Sequence, residues 1–353
     1  MLSVHFYSAD LKGVKKAMVK DKKKLARVIA TWVVTSVMVS VFLLDILVVH
    51  LSNRYASQVP IENHDFENVS GDDKIHFLNT ANSDCIILES NGHFALVDSG
   101  EGDNNPRRKT QNEGHSEEVM DYIKKLASKK GGKITFDFIV ATHMHYDHSG
   151  NMEEIIKSDF IDIGKAFVKK YDTKNVSEMD SEAWGNGETY KKIIDALNHK
   201  QVEIISNISD GEFIFGDFNI KLINTRTPEE FKTSGENANS IGIIVSKGEK
   251  RAFLGADFTN TDGFEMHYAH TIGDVDLLKI GHHGYFGSSS SGFLRVLKPE
   301  ITICTNYLGK IYPNVKWNLT MVAKAPVLST AHRDGVIATF TDDGEILFTQ
   351  KIM

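Results

Sequence analysis

Residues 142–151 read Thr-His-Met-His-Tyr-Asp-His-Ser-Gly-Asn. Three imidazoles, His143, His145 and His148, and one carboxylate, Asp147, fall within six positions. Imidazole with carboxylate suits zinc, with iron or manganese as alternatives. A pair of divalent ions about 3.5–4 Å apart is a recurrent hydrolytic centre, in which a bridging hydroxide is the nucleophile. His143 and His145 are two apart at what reads as a strand end, so extended backbone points both side chains to one side. They can converge on one ion, while Asp147 and His148, in the turn that follows, can reach a second. The bland alternative is a histidine-rich surface turn, since 15 histidines in the chain make chance doublets common. An apolar strand running directly into all four ligands is much rarer.

Four side chains do not complete two metal sites, and the rest must also arrive at strand ends. Asp257 follows Arg251-Ala252-Phe253-Leu254-Gly255-Ala256, a strand entering a small-residue turn, and a carboxylate there could bridge two ions. His282 and His283 follow Asp276-Leu277-Leu278-Lys279-Ile280-Gly281 in the same way. The two cysteines, Cys85 and Cys304, form no Cys-x-x-Cys, which excludes a zinc knuckle. They read as separate buried thiols.

The elements that must position these residues are mixed in type. Residues 74–79, 85–89 and 94–98 read as successive strands separated by turn chemistry at Ala81-Asn82-Ser83-Asp84 and Asn91-Gly92. A helix begins at Ser116, with Glu117 and Glu118 in its first turn and Val119, Ile123 and Leu126 on one face. Residues 136–141 form the strand that delivers the cluster, and a second amphipathic helix covers 188–199. Strand patterns dominate thereafter, at 202–205, 213–215, 218–223, 241–245, 252–254, 275–280, 301–305, 336–340 and 346–349. Strands and helices do not alternate strictly. The expected class is α+β, with two packed sheets and helices outside.

The N-terminal region is of another kind. Residues 28–51 are almost wholly apolar, interrupted by Asp45 and His50, and about 20 apolar residues span a bilayer. Residues 1–27 hold eight basic residues against Asp10 and Asp21, a net charge of +6. The positive-inside rule then predicts a cytoplasmic tail at 1–27, a single transmembrane anchor at 28–51, a polar linker at 52–73 and an extracytoplasmic domain at 74–353. A cleavable signal peptide would have a shorter apolar core and a small-x-small site. With Asp45 set aside, the total of −7 leaves −12 for residues 52–353, which disfavours non-specific binding to nucleic acid. The expected partners are the lipid bilayer and a small-molecule or cell-surface phosphoester.

Leu96-Val97-Asp98-Ser99-Gly100, the His-x-His-x-Asp-His segment, Leu254-Gly255-Ala256-Asp257 and Leu278-Lys279-Ile280-Gly281-His282-His283-Gly284 resemble the ordered motifs of the metallo-β-lactamase fold. The last of these with Ser288-Ser289-Ser290, the segment Glu236-Asn237-Ala238-Asn239-Ser240 and the segment Thr330-Ala331-His332-Arg333-Asp334-Gly335 resemble the hydrolase domain of bacterial DNA-uptake competence proteins. Trp184-Gly185-Asn186 with Tyr190 resembles, more weakly, phosphorylcholine esterase. The resemblance covers about residues 74–349. It implies an αββα sandwich binding two divalent ions, zinc first among them.

The resemblance also implies site roles. His143, His145, Asp147, His148, Asp257 and one of His282 and His283 would be metal ligands. His282 is assigned as that ligand and His283 as the group facing the substrate oxyanion, an order that could be reversed. Asp147 and His283 are then the catalytic candidates, and Asp98, Asn239 and Ser240 support the ligands from behind. Many members of the fold supply another histidine before the bridging aspartate. Here only His199 lies between His148 and Asp257, on an amphipathic helix, and it reads as structural. Trp184, Tyr171, Tyr190 and Tyr285 could wall a pocket for a cationic or sugar group, or be core and rim aromatics. The expected activity is phosphoester hydrolysis of phosphodiesterase type. A competence-type nuclease, a lactonase or β-lactamase, and a surface binding protein with a vestigial metal site are the alternatives.

Overall fold

The computed structural model describes residues 7–63, 73–107, 112–171, 183–226, 235–261 and 263–353. The chain divides into two compact units, Met1–Leu51 and Ser52–Met353. A single helix, α1 (Tyr7–Gln58), contains the predicted anchor. Its stretch Val19–Gln58 is long and apolar enough to cross a membrane. Trp32, Met38 and Phe42 are all more than half exposed along it. Apolar side chains exposed around a helix are what a lipid-facing segment requires.

The linker expected at 52–73 is not a simple tether. Residues 52–58 continue the helix, which stops at Gln58, before Pro60. Proline disfavours helical backbone at the residue before it. Strand β1 (Ile61–Asn63) then pairs in parallel with β16 (Ile346–Gln350). Residues 64–72 of the expected linker lie outside the described residues, and Asp73 already belongs to β2 (Asp73–Phe77).

The second unit is two packed sheets. Among the described residues the first has nine strands, in the order β1-β16-β15-β2-β3-β4-β5-β6-β7. Its remaining members are β3 (Ile86–Ser90), β4 (His93–Val97), β5 (Ile134–Ala141), β6 (Ile161–Val168), β7 (Glu203–Ile205) and β15 (Val336–Phe340). The second has seven, in the order β14-β13-β12-β11-β10-β9-β8. These are β8 (Glu212–Phe215), β9 (Phe218–Ile223), β10 (Gly242–Lys247), β11 (Lys250–Leu254), β12 (Leu277–Lys279), β13 (Ile301–Cys304) and β14 (Val327–Ser329).

The inner faces enclose an apolar layer that includes Ile75, Leu88, Val97 and Val140 from the first sheet and Ile220, Ile243, Leu254 and Ile303 from the second. Phe138 of β5 stands at its centre, edge-on to Phe213 and Phe215 at 5.3 and 5.2 Å between ring centroids. Burying such a ring contributes about 1.5–3 kcal/mol, and each edge-on pair about 0.5–1.5 kcal/mol more. Helices α2 (Ser116–Lys129), α4 (Met152–Lys157) and α5 (Asn186–His199) cover the outer face of the first sheet with Val119, Ile123, Ile155 and Ile193. Helices α6 (Phe264–Ile272), α7 (Ser291–Leu297) and α8 (Pro313–Trp317) cover the second with Phe264, Phe293 and Val315. The layers therefore run α, β, β, α, as expected. Cys85 and Cys304 are buried and unpaired with each other.

The loop after His283 is tied down by a buried acid. Glu265 of α6 accepts the backbone N–H groups of Ser289 and, at 2.8 Å, Ser290. Burial pushes its carboxyl up to about 7, against those hydrogen bonds. A group whose folded value is raised binds its proton more tightly in the folded state. Stability therefore falls as pH rises from the free-carboxyl range through about 7. Urea denaturation of the wild type between pH 5 and pH 8 is expected to show this fall, and Glu265→Gln to flatten it. An unaltered slope in the variant would contradict the assignment.

Candidate metal centre

Strands β4, β5 and β6 run parallel, as do β11, β12 and β13. Their C-terminal ends lie together at one edge of each sheet, where parallel-sheet proteins place their ligands. Asp98 follows β4, the histidine cluster follows β5, Asp257 follows β11, His282 and His283 follow β12, and Thr305 follows β13. Asp84, before the antiparallel β3, and Ser240, before the antiparallel β10, arrive at the same edge from the other direction.

His145 precedes a single turn, α3 (Tyr146–Ser149), which carries Asp147 and His148 inward. Gly150 closes that turn, and a Cβ there would collide with the backbone nitrogen of Gly102. Asp98 holds the segment from behind. It accepts the Thr142 backbone N–H at 2.8 Å and the Thr142 hydroxyl at 2.7 Å, and lies 2.8 Å from His148 Nδ1. Glu236, in the short turn that precedes β10, supports the same loop, accepting the Met144 N–H at 3.0 Å.

His143 and His148 are buried, with ring centroids 4.2 Å apart, and the His143 and His145 rings are 4.9 Å apart. Asp257, buried to 1% exposure, joins them. Its Oδ1 lies 3.0 Å from His148 Nε2 and 3.4 Å from His283 Nε2. Its Oδ2 lies 3.7 Å from His143 Nε2 and 3.8 Å from His282 Nε2. One carboxylate thus faces four imidazoles. Burial, then His148, holds His143 well below its ordinary value and hence neutral, as a metal ligand has to be.

The structure separates the two adjacent histidines. His283 is fully buried, with Nε2 3.1 Å from His148 Nε2 and 3.7 Å from Asp147 Oδ2. Its Nδ1 faces Thr305 Oγ1 at 3.1 Å. His282 is part-exposed at 27% and lines the cavity, where Asn237 Nδ2 lies 3.1 Å from its Nε2. Of the two orders left open, the structure sets His283 deep in the cluster and His282 at the cavity. Both residues have positive φ, 48° and 49°, so the backbone turns twice in the left-handed region and sends the side chains to different depths.

The other expected residues divide. Ser240 Oγ accepts the Asp257 backbone N–H at 3.2 Å and lies 3.4 Å from His143 Nδ1. Asn239 does not touch a ligand. Its side chain donates to Glu236 at 2.8 Å, and its carbonyl accepts Lys169 Nζ at 2.7 Å. Trp184 and Tyr285 line the cavity. Tyr190 does not, because it packs with Tyr171 against the outer apolar cluster beneath α5. His199 ends α5 exposed, remote in role from the cluster.

Sequence reasoning missed Asp84, Lys279, Glu236 and Arg107. Asp84 lies 3.3 Å from His283 Nδ1 and forms an ion pair with Lys279, and both are fully buried. Lys279 also donates to the Ala256 carbonyl at 2.9 Å. Burial would raise the Asp84 carboxyl, but Lys279, His283 and His148 hold it far below the ordinary range. The available signal was a lysine inside the apolar strand run Leu277-Leu278-Lys279-Ile280, which needs a buried partner.

The residues fit divalent ions. Asp84, His148 and His283 form one group of potential ligand atoms lying within 4.8 Å of one another, and His143, His148 and Asp257 form another. His143 Nε2 is buried with no hydrogen-bond partner among the described residues, which is costly for a polar atom unless a cation satisfies it. Removing one partner of the buried pair behind them is expected to destabilise strongly. Lys279→Met should lose about 3–5 kcal/mol in urea denaturation, and Asp84→Asn with Lys279→Met should recover most of it. Equal losses in the single and double variants would show that the pair is not what holds this corner.

Residues 78–172 match the family described as the metallo-β-lactamase superfamily. Over 107 residues the chain is 27% identical to Recombination protein 2 of Haemophilus influenzae. The match covers 30% of this chain, and the chain spans only 12% of that relative. The metallo-β-lactamase fold protein YhfI of Bacillus subtilis is similar at 12% identity and a TM-score of 0.44, over 73% of this chain and 96% of that one. The metallo hydrolase Igni18 of Ignicoccus hospitalis is similar at 18% identity and a TM-score of 0.37, over 78% and 97% of the two chains. The αββα layers, the ordered motifs at their strand ends and the match over residues 78–172 make this a metallo-β-lactamase-fold protein.

Proposed function

We propose that the chain is a membrane-anchored, extracytoplasmic, metal-dependent phosphoester hydrolase of phosphodiesterase type. The observation that carries the hydrolase reading is a cavity of about 480 Å³ that opens onto the cluster through His145, Asp147, Asp257 and His282. His143, His145, Asp147, His148, Asp257 and His283 would hold two divalent ions, with His282 at the cavity side. Such ions, when bound, supply reactive water at neutral pH and positive charge for an anionic transition state.

Charge supports an anionic substrate. Asp84, Asp98, Asp147 and Asp257 meet at this edge with Lys279 as their buried counter-charge. Bound dications would offset these carboxylates, and Arg107 adds a fixed positive charge beside Asp147 at the cavity, a setting suited to an anionic substrate. His282 lies in the cavity wall, where its Nε2 accepts the Asn237 amide N–H at 3.1 Å. The likeness to Recombination protein 2 favours a nuclease as the second reading. The charge of −12 on residues 52–353 counts against a polyanion.

The test is a screen of the full chain in detergent, loaded with zinc or manganese, against bis-p-nitrophenyl phosphate, p-nitrophenyl phosphorylcholine, single-stranded DNA and a lactam. Chelation should abolish turnover and lower the melting temperature, and reloading should restore both. His145→Ala and Asp257→Asn should lose at least the roughly tenfold to hundredfold seen when groups behind a metal ligand are removed. Turnover of the lactam alone would overturn the phosphoester reading. Deleting residues 1–51 should move the protein from the carbonate-resistant membrane fraction to the soluble one. Protease added to intact cells should reach the domain of the full chain, and protection of that domain would reverse the proposed orientation.

A further inference from the structure

Arg107 is only 3% exposed, yet it lines the cavity beside the cluster. A buried guanidinium is unfavourable unless its donors and faces are used. Here one edge is fully engaged. Nη2 donates to the Glu101 carboxylate, and Nε donates to Asn105 Oδ1 at 3.1 Å. Tyr146 and Trp184 each lie with the ring centroid 5.8 Å from Arg107 Cζ. Glu101 is itself fixed, accepting Asn105 Nδ2 at 2.6 Å and Asn112 Nδ2 at 3.3 Å.

The other edge is different. Nη1 lies 3.9 Å from Asp147 Oδ1, beyond hydrogen-bonding reach, and donates no hydrogen bond among the described residues. Apart from histidine, Arg107 is the one cationic side chain among the described residues that line the cavity, against Asp147, Glu236 and Asp257. A planar fork pinned on one side, on a residue that lines the cavity and keeps Nη1 in reserve, is suited to an oxyanion. An ammonium in its place would be a point charge without that geometry.

We infer that Arg107 is the anion receptor of the cavity, binding a non-bridging oxygen of the substrate's phosphate through Nη1, next to Asp147. The substrate identity rests on the phosphoester reading above. The bound group would sit between Arg107 and the metal cluster, so the site selects esters that keep a negative charge.

Two measurements on the metal-loaded full chain test it. Inorganic phosphate binding is followed by titration calorimetry, and the preference for bis-p-nitrophenyl phosphate over the neutral p-nitrophenyl diethyl phosphate is followed by rate. Arg107→Gln alone strands Glu101, so Arg107→Gln with Glu101→Gln is made beside it, with thermal melts to establish folding. Both are expected to weaken phosphate binding about tenfold to a hundredfold, and to reduce the diester preference by a similar factor. Arg107→Lys should fall between them and the wild type. Phosphate affinity and preference both kept within about twofold in the folded double variant would overturn the inference. If the wild type then still cleaves the diester, the phosphoester reading survives that loss. If instead the wild type binds phosphate through Arg107 but cleaves no phosphoester, the receptor stands and the substrate reading falls.

Discussion

Buried negative charge is the constraint on which this architecture depends. Asp84, Asp98 and Asp257 are each about 1% exposed, and Asp147, at 16%, faces the cavity. Ionised carboxylates withdrawn from water are stable only when opposite charge and hydrogen bonds replace the lost solvation. The fold meets that demand from several directions. Lys279 rises from the centre of the second sheet to Asp84, Thr142 gives two hydrogen bonds to Asp98, and four imidazoles surround Asp257. What the protein itself does not supply, a divalent cation can. The edge of the sandwich is in this sense built around positive charge brought from outside.

The rest of the domain makes that edge rigid. The apolar layer around Phe138 fixes one sheet against the other, and the strand ends inherit their positions from it. Asp98, Ala256, His282 and His283 all take positive φ where their strands stop. Left-handed backbone at a non-glycine residue costs about 1–2 kcal/mol. The chain sustains it because the neighbouring bonds allow no alternative, as where His282 donates its N–H to the Ala256 carbonyl and the His283 carbonyl accepts Asn306 Nδ2.

Much of this was legible in the sequence, for definite reasons. The candidate ligands after β5, β11 and β12 each follow an apolar run, so strand periodicity located them. The layer order followed from the mixture of strands and helices. Asp84 escaped because a carboxylate in Ala81-Asn82-Ser83-Asp84 reads as turn chemistry, and only the antiparallel entry of β3 brings it to the site. The depths of His282 and His283 depend on two consecutive left-handed residues, which no spacing rule reveals. Tyr190 misled because its helical face is apolar, and an apolar face more often finds a core than a cavity. Residues 52–63 misled because a polar, proline-containing stretch can still extend a helix and add a strand to a sheet edge.

The candidate ligand atoms come from the strand ends of both sheets. His143 and His148 follow a strand of the first sheet, and Asp257 and His283 follow strands of the second, so His148 and His283 meet across 135 positions of sequence. An ion held between them is a cross-link that closes a very long loop. It would act on the unfolded chain as a disulfide does, by removing conformations that the open chain would otherwise have. In a chain whose two cysteines are both free and buried, that would make the candidate metal centre a fastener as well. Local opening at the ends of β5 and β12 would then be governed by metal supply, and amide exchange there would report occupancy before any substrate is known.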